Sequence, residues 1–161
     1  MTHGGTSLPE VQRLLAVLAT GRRVAEAGTA FGEGAAAMAR TARSVVTVEL
    51  DAERAAIAAR RLEPFSNVEL LVGDWSELLP TRGPFELVFL DGGGFKHAPT
   101  ERNDLVLALL EPGGLLVMDD MTPGRPGPDP VREWAFAHAE LQTAEILTTP
   151  VTSALVLARR A

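Results

Sequence analysis

The residues able to do chemistry here are mostly acidic, and they recur at regular breaks in the sequence. Glu26, Glu49 with Asp51, Asp74, Asp91 and the pair Asp119–Asp120 each close or follow a short apolar run. A carboxylate at such a break is ordinarily the N-cap of the next helix. Asp51, before "AERAAIAARRL", reads that way. If the apolar runs are parallel strands, however, all of these acids share one rim. A rim of that sign suits a cationic ligand. Two bases stand nearby in "DGGGFKHAP", Lys96 and His97. Of the 15 basic residues Lys96 is the lone lysine, and lysine, unlike arginine, can be deprotonated. Its charged form is disfavoured beside a cation, which helps it act as a base. His97 serves near neutral pH unaided. His138, in "EWAFAHAEL", reads as a surface or core residue, and His3 as part of a flexible tail over residues 1–6.

The segment "EAGTAFGEG", residues 26–34, has the composition of a loop wrapped around a cofactor. A dinucleotide loop, G-x-G-x-x-G, would need glycine at positions 28, 30 and 33; these hold Gly28, Ala30 and Glu33. A phosphate loop needs a Lys-Ser/Thr pair that is absent. An acid followed by alternating glycines fits better, with Glu26, Gly28 and Gly32 in place and Ala30 as the one departure. The glycines let the backbone approach an uncharged or cationic ligand, and Glu26 is suited to an ammonium group. Ala30 is expected to stay at negative φ, because its methyl group disfavours the left-handed region. Downstream, Glu49 is placed to accept two ribose hydroxyls, and Asp74 to accept from an adenine amino group. Trp75 is either a stacking surface for the base or a core residue.

The elements that must position these residues alternate. "SLPEVQRLLAVLAT" has the helical apolar period, with Ser7 as its cap and Pro9 in the first turn. Then come strand "RRVAEA", helix "GAAAMARTA", strand "SVVTVEL", helix "DAERAAIAARRLE", strand "NVELLVG", short helix "SELLP" and strand "FELVFLD". Helix "TERNDLVLALL" is stopped by "EPGG" before strand "LLVMDD" and the loop "TPGRPGPDP". A last helix precedes "TAEILTT" and "TSALVLARR", whose short "PV" connection permits only an antiparallel hairpin. The expected fold is α/β: a doubly wound, seven-stranded, mostly parallel sheet with a C-terminal antiparallel hairpin and helices on both faces. Ligands in such sheets bind beyond the carboxyl ends of the strands.

"VAEAGTAFGEGAAAMA", "VTVELDAERAAIAARRL", "VELLVGDWSELLP", "FELVFLDGG" and "LLEPGGLLVMDDM" together resemble the class I S-adenosylmethionine-dependent methyltransferases. The likeness is greatest to the small-molecule O-methyltransferases of the catechol and caffeoyl-CoA kind, and it runs nearly the whole chain. It implies S-adenosylmethionine as cofactor, held by Glu26, Gly28, Ala30, Gly32, Glu49, Leu50, Asp74, Trp75 and Asp91. It implies methyl transfer to an oxygen of a small molecule, with Lys96, His97 and Asp91 as the catalytic residues. Metal-dependent members carry an Asp after the fourth strand and an Asp-Asn pair after the fifth. Asp91, Asp119 and Asp120 occupy those places, so Mg²⁺ is a candidate, with Asp120 a departure from Asn. The base lysine of catechol-type members falls three residues after the first Asp, where this chain has Gly94; Lys96 comes later. Two other readings stay open: a nicotinamide-dependent oxidoreductase, and a cofactor-binding or regulatory domain without catalysis.

Composition narrows the remaining classes. The chain has 161 residues, 46% hydrophobic and 22% charged, in keeping with one domain over residues 1–161. No apolar run nears the ~20 residues that span a bilayer, and "MTHGGTSLPEVQ" lacks the pattern of a signal peptide. A cytoplasmic protein is expected, without membrane association. The net charge of −6 and scattered arginines argue against nucleic-acid binding. The absence of cysteine excludes disulfides and thiolate chemistry. Metal-dependent members of the family that the chain resembles roof the acceptor with a longer loop after the fifth strand; with the compact "TPGRPGPDP" here the pocket is either open or closed by a second subunit, and a homodimer is the expectation.

Overall fold

The computed structural model describes residues 7–91 and 103–161. The first helix, α1 (Pro9–Ala19), buries Val11, Leu15 and Ala19, one turn apart. Ser7 does not cap it. Leu8 holds the cap position without a side-chain bond, and the Ser7 carbonyl accepts from Gln12 Nε2 at 2.8 Å. Ser7 stands one residue too early for its hydroxyl to meet the orphan amides of the first turn.

Seven strands form one sheet: β1 (Arg23–Ala27), β2 (Ser44–Glu49), β3 (Val68–Val72), β4 (Phe85–Leu90), β5 (Leu110–Met121), β6 (Leu141–Leu147) and β7 (Ser153–Arg159), in the order β3-β2-β1-β4-β5-β7-β6. Strands β1 to β5 pair in parallel. Strand β7 runs antiparallel to both β5 and β6. The expected doubly wound sheet and terminal hairpin are therefore present.

Alternation along the strands divides the core in two. Val24, Val45, Leu87, Phe89 and Val117 pack with α1, α2 (Glu33–Ala39) and α3 (Ala52–Leu62). Ala25, Val48, Val88, Leu90, Leu116 and Met118 belong to the other apolar layer, with residues of α4 (Trp75–Leu78), α5 (Asn103–Ala108) and α6 (Pro130–Ala137). The alanines of α2 keep that helix thin. Gly32 at its start lies so near α3 that an added Cβ would meet Ala58 at 3.4 Å.

Two connections differ from the sequence reading. "EPGG" is not a stop between helix and strand but part of β5, whose register slips between the pairs Phe85↔Leu110 and Leu87↔Leu115. The residues between loop out of the ladder, with Gly113 at φ 78°. The terminal hairpin turns through residues 148–152 rather than through Pro150–Val151 alone. Thr148 N and Thr149 N both donate to Thr152 O, at 3.0 and 3.2 Å, and the Thr149 and Thr152 hydroxyls bond at 2.7 Å. With the Thr148 and Thr152 hydroxyls also bonded at 3.1 Å, backbone and hydroxyl bonds together close the turn.

The strand order reverses between β1 and β4, since β2 and β3 lie on one side and β5 on the other. That switch point opens a crevice at the carboxyl ends. The loop after β5 is fastened by Arg132 of α6. Its guanidinium donates to Glu145 Oε1 at 2.7 Å and to Thr122 O at 3.2 Å, and pairs with Asp129. Ser153 Oγ reaches Glu145 Oε1 at 2.5 Å and Met121 O at 3.3 Å.

Candidate functional site

The loop after β1 is held from the neighbouring strand. Gly28 N and Thr29 N both donate to Val48 O, at 3.0 and 3.1 Å, and Gly32 N donates to Thr29 O at 2.8 Å. Gly28 and Gly32 take φ 98° and 86°, so these two glycines are needed for their backbone. Ala30 also lies at positive φ, 49°, against the expectation from its side chain. The cause is Glu49. Its Oε2 accepts from Ala30 N at 2.7 Å, a buried bond that requires the amide to face β2. Its Oε1 accepts from Asp51 N at 3.0 Å. The buried Glu49 carboxylate therefore fastens the loop after β1 to the loop after β2. Each oxygen keeps lone-pair capacity for a further donor.

Glu26 sits deeper than a rim residue. It is buried beneath the loop, and its Oε2 accepts from Thr47 Oγ1 at 2.5 Å. Thr47 in turn bonds Thr29 through their hydroxyls at 2.5 Å. Its other oxygen lies against α2, where a Cβ on Gly34 would come within 2.3 Å of Oε1. Burial is the main influence on its proton and pushes its pKa up to about 8. The Thr47 bond opposes this, and the charges of Asp91 and Glu49 add to it.

The remaining expected residues divide between rim and scaffold. Asp51 is the cap of α3, accepting from Glu53 N and Arg54 N. Asp74 caps α4, its Oδ1 accepting from Ser76 N at 2.8 Å and Ser76 Oγ at 2.7 Å. Leu50 is 75% exposed beside Glu49, an apolar surface open to a flat ligand group. Trp75 is 5% exposed and packs in the core layer with Leu79 and Val48. Of the two readings of Trp75, its burial favours the core. Asp91, half-buried, donates its amide to Ala27 O at 3.1 Å, which brings the ends of β4 and β1 together. Lys96 and His97, the candidate bases, lie outside the described residues.

The proposed Mg²⁺ ligands do not come together. Among the described residues, no group of three or more His, Asp or Glu side chains is placed to hold a metal ion. The reason is a bulge in β5 between the pairs Met118↔Leu155 and Met121↔Ser153. Asp120 takes φ 60° there, leaving the side chain of Asp119 buried and that of Asp120 exposed. Bulges near sites re-aim side chains in this way. No metal chemistry is therefore assigned to these aspartates.

Three contributors were not singled out from the sequence: Thr29, Thr47 and Gly34. Thr47 carries a detectable signal, a lone polar residue inside the β-branched run "SVVTVEL". Gly34 carries one too, as a glycine opening an alanine-rich helix.

These residues fit an S-adenosyl group: a glycine loop at a switch point, a carboxylate closing β2, an exposed leucine next to it and an acid capping α4. A seven-stranded sheet in this order, closed by an antiparallel hairpin, is the class I S-adenosylmethionine-dependent methyltransferase fold. The chain belongs to the methyltransferase-domain family, which matches residues 25–121. It is similar to the cofactor-bound structure of Rv0187 from MTB, at 26% identity and TM-score 0.81, covering 96% of this chain and 81% of that one. It is also similar to the O-methyltransferase TomG from Streptomyces achromogenes, involved in tomaymycin synthesis and solved with S-adenosylmethionine. There the identity is 26% and the TM-score 0.75, over 100% of this chain and 83% of that one. A curated relative, protein-L-isoaspartate O-methyltransferase of Rhodopseudomonas palustris (strain BisB5), is 36% identical over 102 residues. That match covers 62% of this chain and 45% of the relative, so the chain spans under half of its length. No helix among the described residues is long and apolar enough to cross a membrane.

Proposed function

We propose that this chain is an S-adenosylmethionine-dependent methyltransferase that methylates an oxygen of a small molecule. The observation that carries the reading is the fastening of the glycine loop to Glu49 at the switch point. S-adenosylmethionine supplies, when bound, a methyl group on an electrophilic sulfonium. Glu49 accepts from the ribose hydroxyls, Leu50 covers an apolar face, Asp74 accepts from the adenine amino group, and the loop of Gly28, Ala30 and Gly32 passes along the methionine part. Methyl transfer is an in-line displacement, so positioning supplies much of its rate. Lys96 or His97 takes the acceptor's proton. In the same reading residues 1–161 act as one domain, and a homodimer in the cytoplasm closes the acceptor side.

Oxygen as acceptor is supported by the 26% identity to TomG. A second reading, a carboxyl oxygen of a protein acceptor, is favoured by the 36% identity to an isoaspartate methyltransferase. Labelled methyl transfer to a panel of hydroxylated aromatics and to an isoaspartyl peptide separates the two. Calorimetric titration with S-adenosylmethionine, S-adenosylhomocysteine and NAD⁺ tests the cofactor. Binding of NAD⁺ with no response to either adenosyl ligand would favour the oxidoreductase reading instead.

A further inference from the structure

Glu26 is enclosed by three elements. From β2 come Thr47, which donates to it, and Glu49. From α2 comes Gly34, whose missing side chain leaves the space the carboxyl fills; Glu33 of that helix is already paired with Arg61. From β4 comes the Phe89 register partner, followed by Asp91. Among the described residues the charges acting on Glu26 are Asp91 and Glu49, both negative, and no cation is among them. Glu26 is 1% exposed, and burial, with the negative charges of Asp91 and Glu49 adding to it, favours its protonated form. Thr47 nevertheless keeps a hydroxyl hydrogen directed at Oε2, so the anion has a donor ready when it forms.

We propose that Glu26 is a charge-specificity residue: it is neutral before ligand binds, and it releases its proton to solvent when a cationic ligand enters the crevice beside Glu49 and Asp91. This rests on the methyltransferase reading, in which substrate and product cofactors differ by one methyl group and one positive charge. The sulfonium offsets the field of Asp91 and Glu49, and the ionised Glu26 then favours the sulfonium in return. After methyl transfer the sulfur is uncharged, Glu26 recovers a proton, and the preference for the spent cofactor is lost. Nothing is oxidised or reduced; one proton leaves on binding and returns after transfer.

The test is calorimetric titration of wild type and Glu26→Gln with S-adenosylmethionine and S-adenosylhomocysteine, at pH 6, 7 and 8, in phosphate and in Tris. The two buffers differ in ionisation enthalpy, so the difference in heat counts protons. Both ligands carry the same α-amino group, so its own titration cancels between them. Wild type should release close to one more proton with S-adenosylmethionine than with S-adenosylhomocysteine at pH 7. Its affinity for the former should rise by up to about tenfold per pH unit below pH 8. Glu26→Gln should flatten both. Equal proton release for the two ligands in wild type, or an unchanged difference in Glu26→Gln, would overturn the proposal alone; binding of neither ligand would overturn the methyltransferase reading with it. Should Glu26→Gln fail to fold, Thr47→Val decides. Losing the donor to the ionised form should move the pH rise upward, and an unmoved rise counts against Glu26 as the source.

Discussion

Replacing Ala30 with glycine isolates the strain in the cofactor loop. Ala30 is held at φ 49° with only 8% exposure. An L-residue in the left-handed region is disfavoured by about 1–2 kcal/mol, and glycine removes that term. Against it stand about 0.5–1 kcal/mol of extra chain entropy and up to about 0.8 kcal/mol for the lost buried methyl. The balance places Ala30→Gly between about 0.8 kcal/mol below wild type and about 1.5 kcal/mol above it. Ala35→Gly is the control. Ala35 is fully buried inside α2, so it loses helix propensity of about 0.8–1 kcal/mol and the same methyl term without relief. The control should fall by about 1.5 kcal/mol, or roughly 3–6 °C in melting temperature for a chain of this size. Urea titration followed by far-ultraviolet circular dichroism measures both. A second arm combines Ala30→Gly with Glu49→Ala. With the carboxylate gone the loop relaxes, and glycine at position 30 should lose its advantage. If Ala30→Gly is as damaging as Ala35→Gly, the left-handed loop held by Glu49 is wrong.

Four further outcomes are expected. Glu49→Ala should weaken S-adenosylmethionine binding more than tenfold by calorimetry and lower stability by about 1–3 kcal/mol, since two backbone amides lose their acceptor; unchanged affinity would remove Glu49 from the ribose site. Glu26, with its pKa raised from 4.5 to about 8, stabilises the fold fully only below the unfolded value. That contribution is lost as pH rises through about 8, at up to about 1.4 kcal/mol per pH unit. Urea midpoints from pH 5 to 8 should therefore fall in wild type and stay flatter in Glu26→Gln. Glu145→Ala should destabilise by about 1–2 kcal/mol, because it strips Arg132 and Ser153 of their shared partner; hydrogen exchange in the loop after β5 should rise with it, and unaltered exchange would show the bracket to be idle. Lys96→Met should reduce turnover about 10²-fold or more if it is the base, and full activity would leave that role to His97.

Much of the fold was legible because its signals are local. "SVVTVEL" and "FELVFLD" are too apolar and β-branched for anything but interior strands, and the short last connection forces an antiparallel hairpin. Asp51 and Asp74 read correctly as strand-end acids, and each proved to cap a helix. The misreadings came from bonds made across the sequence. The methyl group of Ala30 alone implies a negative φ, whereas its amide is held by a carboxylate on another strand at φ 49°. Asp119 and Asp120 looked like a matched pair, but a bulge against β7 gives them different surroundings. Leu8 rather than Ser7 holds the cap position of α1, a one-residue difference of the size that helix ends show. Trp75 carried two readings in the sequence, and its burial favours the core.

The closeness of Gly34 to Glu26 has an evolutionary corollary. The two positions share one space, so a side chain gained at position 34 displaces the carboxyl at position 26. A methyl at position 34 would come within 2.3 Å of Glu26 Oε1, so the carboxyl would have to swing away from it, whereas a shorter acid or a serine at position 26 would leave that space open. Relatives in which residue 34 has gained a side chain should therefore have shortened residue 26 in the same lineage. Directed evolution started from Gly34→Ala should find its first compensating change at Glu26.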